Sequence, residues 1–205
     1  MAIVVAVLPV VAHADDLQTC TYTDWVWSVR ERKAVNIQEV ERPYRSLADE
    51  ERDAATGCSL CREDQVEITL SGIKPFYMCK AVAKEVETAL TRAMKAGFEI
   101  GTVVGYRVGR SKGVLDVYGR RTEYSNHSFG LAIDINAKKN GLYDRCATFS
   151  SACRLIRGGE WRPDMPGGIA PDTPLYGELK NIGWRWGGEL DGLQKDFMHF
   201  SPFGD

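Results

Sequence analysis

Ser125-Asn126-His127-Ser128-Phe129-Gly130-Leu131-Ala132-Ile133-Asp134 is the stretch on which the reading of the chain turns. Ala132-Ile133-Asp134-Ile135 is short and apolar and predicts a buried strand. An aspartate inside such a strand is costly unless something offsets its charge. A second unusual segment, Asp196-Phe197-Met198-His199-Phe200-Ser201, lies near the C-terminus and predicts another short strand. The chain has three histidines, and His13 stands in the leader described below. That leaves His127 and His199, one in each segment. Two imidazoles and a carboxylate are the donor set of a metal that keeps one position open. Asp134 is the natural carboxylate, because a cation there offsets its burial. Asp196, three residues before His199, is placed to serve as a base for an activated water. Glu189 and Asp191 are rival bases without that spacing. Either histidine alone reads as an ordinary structural residue; the joint pattern favours a site.

Outward from these segments, Lys80 to Ala96 carries one apolar stripe, Val82, Val86, Ala89, Leu90, Ala93 and Met94, with Gly97 at the stop. This predicts a helix. Val66, Ile68 and Leu70 alternate with polar residues and predict a half-buried strand, and Phe98 to Val104 predicts another. Thr173-Pro174 reads as an N-cap followed by proline at the first helical position, with Gly183 closing a short helix. Residues 15–64 read as polar, charge-rich and irregular. Strands and helices mix without regular alternation, which makes the fold class α+β.

Composition sets the outer bounds. The chain has 205 residues, 44% of them hydrophobic and 26% charged, which is ample for a real core. Its formal net charge is −2, which gives no electrostatic case for nucleic acid as a partner. Arg107 through Arg121 is a mildly basic rim without a nucleic-acid role. Residues 1–12 are apolar but too short for a bilayer, which needs roughly 20 such residues. They run into Ala12-His13-Ala14, an A-x-A pattern, and then Asp15-Asp16. The stretch reads as a secretory signal peptide cleaved after Ala14; the alternative is a buried N-terminal strand. No later segment is apolar enough to span a membrane.

Six cysteines, an even number, fit structural disulfides in an exported protein. Cys146 and Cys153 are close across a loop-like stretch and pair first. Cys58-Ser59-Leu60-Cys61 is a CxxC, readable as redox-active or as half of a zinc knuckle; disulfides among Cys20, Cys58, Cys61 and Cys79 are the preferred reading. Trp184-Arg185-Trp186-Gly187-Gly188 reads either as one wall of a cleft, with Trp186 against substrate, or as core.

The pattern Ser125-x-His127-x-x-Gly130-x-Ala132-x-Asp134 followed by Asp196-x-x-His199 resembles the zinc D-alanyl-D-alanine carboxypeptidase and L-alanyl-D-glutamate endopeptidase family, part of the lysostaphin-like peptidoglycan metallopeptidases. The resemblance covers roughly residues 80–205. It implies that His127, Asp134 and His199 hold Zn2+ and that Asp196 is the catalytic base. Gly105-Tyr106-Arg107 is similar to the family's Gly-Tyr-Arg segment, which implies that Arg107 binds substrate or steadies the developing oxyanion, with Arg121 the runner-up. Ser125 is a candidate substrate contact or a turn former.

The expected organisation is a signal peptide over 1–14, an irregular disulfide-containing extension over 15–79 packed on the catalytic domain, and a peptidase domain over 80–205. In that domain a small antiparallel sheet flanked by helices carries the zinc site. The expected activity is zinc-dependent hydrolysis of a peptide bond in peptidoglycan stem peptides, by an exported, periplasmic or extracellular monomer without membrane insertion. The alternatives are a non-catalytic wall-binding module that keeps the fold, and a CxxC thiol-disulfide protein.

Overall fold

A computed structural model describes residues 18–204; the leader reading of residues 1–14 lies outside the described residues. Among the described residues the fold is α+β, with small sheets, two α-helices and three disulfides. The strands in chain order are β1 (Thr19–Ser28), β2 (Lys33–Pro43), β3 (Gln65–Ile68), β4 (Phe76–Cys79), β5 (Val103–Val104), β6 (Arg110–Leu115), β7 (Arg121–Tyr124), β8 (Ile133–Ile135), β9 (Leu142–Asp144), β10 (Arg154–Arg157), β11 (Arg185–Trp186), β12 (Gln194–Asp196) and β13 (His199–Ser201). The helices are α1 (Ala83–Lys95) and α2 (Pro174–Asn181). No helix of the described residues is long and apolar enough to cross a membrane.

Helix α1 begins three residues after the stripe suggested and buries Ala83, Val86, Ala89, Leu90 and Ala93. It ends in a Schellman arrangement: the Phe98 N–H donates to the Ala93 carbonyl and the Gly97 N–H to that of Met94, each at 3.0 Å. Helix α2 starts as its Thr173-Pro174 signature requires, with the Thr173 hydroxyl accepting from the Tyr176 N–H. Leu175 and Leu179 of α2 join α1 in one core with Leu131, Ile133 and Ile135 around β8 and with Trp186 and Phe200. Phe76, Met78 and Cys79 of β4 belong to this core as well.

The antiparallel sheet β11-β13-β8-β5 sits at the centre of that core. A second antiparallel sheet, β10-β9-β12, lies beside it. Only Val103–Val104 of the expected Phe98–Val104 strand pairs, because the preceding residues close the helix stop and thread past Asn136, whose side chain accepts from the Gly101 and Thr102 N–H groups.

The segment before α1 departs from its polar, irregular reading. β1 and β2 form a long antiparallel hairpin that adds to β6 and β7, with a parallel contact at Val26–Arg110. β2 has no apolar alternation to announce it, since most of its residues face solvent. A smaller core of Cys20, Tyr22, Leu47, Leu60, Cys61 and Val108 holds the hairpin down. Cys146 pairs with Cys153 as read, while the CxxC cysteines go to different partners, Cys61 to Cys20 and Cys58 to Cys79. Closing loops of these lengths contributes about 3–4 kcal/mol each to the two longer bridges by chain entropy.

Candidate metal centre

Three pieces of the chain converge on one buried point. A 3-10 turn over Asn126–Phe129 carries His127, and Gly130 ends it in the left-handed region at φ 66°. A side chain at Gly130 would run into the Gln65 side chain and the Cys79 backbone, so only glycine permits this exit. The chain then enters β8, where Asp134 lies opposite His199 of β13 in the antiparallel register. Register therefore places the second histidine beside the aspartate from 65 residues away.

Asp134 Oδ1 is 3.0 Å from His127 Nε2 and 3.1 Å from His199 Nδ1. All three residues are buried. His127 Nδ1 stands 2.8 Å from the Gly105 carbonyl. A carbonyl only accepts, so Nδ1 carries the proton. Burial, only partly opposed by Asp134, pushes His127 down to about 4, so the ring is neutral near pH 7. Its Nε2 lone pair then faces the carboxylate. Two acceptors in van der Waals contact at such depth call for a cation between them. His199 leaves the same debt: its Nε2 is sealed and has no partner, so with one ring proton either face is short of a bond.

The donor chemistry fits a divalent metal. The His127, Asp134 and His199 ligand atoms all lie within 4.8 Å of one another. Ligand atoms of a tetrahedral zinc stand about 3.3 Å apart, close to the spacings here. The Gly105 carbonyl on the far ring nitrogen is the outer contact that metal-binding histidines use to fix their tautomer. The other three-residue group of this kind among the described residues includes Cys20 and Cys61, which are bonded to each other.

The remaining candidates fall into two sets. Asp196 and Arg107 stand beside the triad, and Ser125 caps the turn that carries His127. Asp196 ends β12, and its Oδ1 is sealed without a partner. Burial first, then the Asp134 charge, pushes its carboxyl up to about 6. Arg107 Nη2 is 3.5 Å from Asp134 Oδ2, while its Nε has no partner; burial works against its charge and Asp134 supports it. The Arg107 N–H donates to the His127 carbonyl at 3.0 Å, which ties the two segments together. Ser125 Oγ is buried and unpartnered. Of the six sealed, unpartnered side-chain atoms among the described residues, four belong to Arg107, Ser125, Asp196 and His199.

Arg121 and Trp186 lie elsewhere. Arg121 donates to the Gly113 carbonyl at 2.5 Å across its own hairpin. Trp186 is 3% exposed, packs with Phe197, Phe200 and Trp161, and donates from Nε1 to the Phe197 carbonyl at 2.9 Å, bracing the turn between Asp196 and His199. Gly105 entered the sequence reading only as a neighbour of Arg107; its contact with His127 rests on a backbone carbonyl, which residue type does not reveal.

Residues 119–202 match the model of a family described as D-alanyl-D-alanine carboxypeptidase. The matched segment contains the turn, both histidines, Asp134 and Asp196, while Arg107 and the β1–β2 hairpin lie before it. No curated protein and no solved structure matches the chain. The match makes residues 119–202 similar to a peptidase family, and the His127–Asp134–His199 group within them could hold a metal.

Proposed function

We propose that the protein is an exported zinc peptidase that hydrolyses a peptide bond in peptidoglycan stem peptides, of the D,D-carboxypeptidase or endopeptidase type. The observation that carries this reading is the pair of facing lone pairs at His127 Nε2 and Asp134 Oδ1. The family match supplies the substrate class, and three disulfides support export.

His127, Asp134 and His199 would hold the metal. Zinc in such a site supplies Lewis acidity, which polarises a carbonyl and makes water nucleophilic near neutral pH. Asp196 takes the proton from the attacking water and passes it to the leaving amine. A carboxyl poised near 6 suits both halves of that transfer. Arg107 directs its buried guanidinium at the charge that develops on the carbonyl oxygen. A wall-binding module has no use for an unpartnered sealed carboxylate beside the metal ligands, which favours catalysis over binding alone.

The test is digestion of purified muropeptides, with mass analysis of the fragments. Release of a terminal D-alanine assigns a carboxypeptidase and cleavage inside the stem an endopeptidase; an intact digest with zinc-loaded protein contradicts the reading. Asp196→Ala should lower kcat by about 10²–10⁴-fold while the metal stays bound.

A further inference from the structure

The site has a second cation that neither the motifs nor the family pattern places. Arg157 ends β10, and its strand partner is Leu142 of β9; the partner of Leu142 on the other side is Asp196 of β12. Residues in register across neighbouring strands project to one face. Arg157, Leu142 and Asp196 therefore form one row, and its ends lie about 10 Å apart across two strand spacings. The long arginine stem covers much of that gap.

Electrostatics agree with this placement. The Arg157 charge reaches both Asp196, where it opposes the rise caused by burial, and Arg107, where it adds to the effect of burial. Two guanidiniums whose charges act on one another, beside a group that could hold a divalent cation, favour an incoming carboxylate. Arg157 is exposed, and among the described residues its side chain makes no hydrogen bond or ion pair. Arg154, three residues earlier on the same strand, is paired with Asp144.

The backbone that presents Arg157 is pinned at both ends. Cys153, just before β10, is bonded to Cys146, just after β9. Immediately after Arg157, Gly158 adopts φ +80°, where a side chain would strike the Ala137 carbonyl and Met198, the neighbour of His199. The Gly159 N–H donates to the Ala137 carbonyl at 2.9 Å. An exposed, unpartnered arginine on so fixed a strand end is a poor solvated charge and a good recognition group.

We propose that Arg157 is a specificity-determining residue that binds a carboxylate of the substrate beside the scissile bond. The inference rests on the peptidase reading above. Arginine suits the task because its planar fork pairs with a carboxylate through two parallel hydrogen bonds. The protein then prefers stem peptides with free carboxylates over the same peptides with those carboxylates amidated.

The experiment measures the zinc-loaded full chain against matched acid and amide stem peptides, by steady-state kinetics and, separately, by calorimetric binding. Wild type should favour the acid form at least tenfold in Kd and in kcat/KM. Arg157→Gln should erase that preference by raising KM and Kd for the acid peptide, with Kd for the amide peptide unchanged. Arg157→Lys, which keeps the charge but loses the fork, should restore only part of it. The inference is overturned if wild type binds both forms equally, or if Arg157→Gln leaves the preference intact. Acid preference in binding that Arg157→Gln removes, without turnover of either peptide, would uphold the inference and sink the hydrolytic reading instead.

Discussion

Asp64 and Asp134 are buried to nearly the same depth, at 2% and 4% exposure, yet their surroundings answer the charge in opposite ways. Asp64 closes the turn before β3 and is satisfied by the protein itself. Ser59 and the Tyr44 hydroxyl donate to its Oδ2, and Lys80 reaches Oδ1 at 3.0 Å. Burial works to raise its carboxyl, but these donors outweigh burial and hold it below its ordinary range. Asp134 faces two imidazoles, one of which has already committed its only proton to Gly105, and a guanidinium no nearer than 3.5 Å. A buried carboxylate with a full set of donors is a structural part, whereas one with acceptors turned toward it is a ligand. Depth alone does not separate the two; the direction of the neighbours' protons does.

Exchanging each carboxylate for its amide should break that comparison most sharply. Asp134→Asn should abolish zinc uptake and reduce turnover to background. The metal-free protein should melt no lower than wild type, because an amide N–H can donate to His127 Nε2. A lower melting temperature in the metal-free variant would mean that Asp134 is satisfied as it stands. Asp64→Asn should do the reverse: a loss of about 2–3 kcal/mol in denaturant unfolding at pH 7, because a buried charged acceptor is removed from its donors. Its kcat on the folded protein should be unchanged.

The stability difference should also depend on pH with a definite sign. The folded Asp64 carboxyl lies below its ordinary 3.8, so its contribution is complete above that pH and is lost as pH falls through the folded value. Denaturation of wild type and Asp64→Asn should therefore converge on the acid side of 3.8, and a constant gap across that range would count against the charged network. The smallest effect is Tyr44→Phe, which removes one donor at 2.7 Å and should cost about 1 kcal/mol.

The same contrast explains what was legible in the sequence. The helices could be read because α1 repeats its apolar stripe and α2 carries its cap and stop residues locally. The cluster of His127, Asp134 and His199 could be read because two scarce histidines and an aspartate in an apolar run stand out by residue type. The β1–β2 hairpin could not, since its outer strand is largely solvated and its hold on the domain comes from two disulfides and a six-residue core assembled from distant positions. Val66 misled for a related reason: Ile68 and Leu70 of the same alternation are buried, but Val66 is 41% exposed while Gln65 beside it is buried. Gly105 and Arg157 escaped because one acts through a backbone carbonyl and the other through strand register, neither of which residue type encodes.

The measurement that tests the central claim most directly is a zinc titration of the purified, chelator-stripped chain, with bound metal quantified beside the same titration of Asp134→Asn. Wild type should take up about one zinc per chain and gain thermal stability on binding, and the variant should do neither. A folded wild-type protein that binds no zinc, or a variant that binds it as well as wild type, would contradict the account.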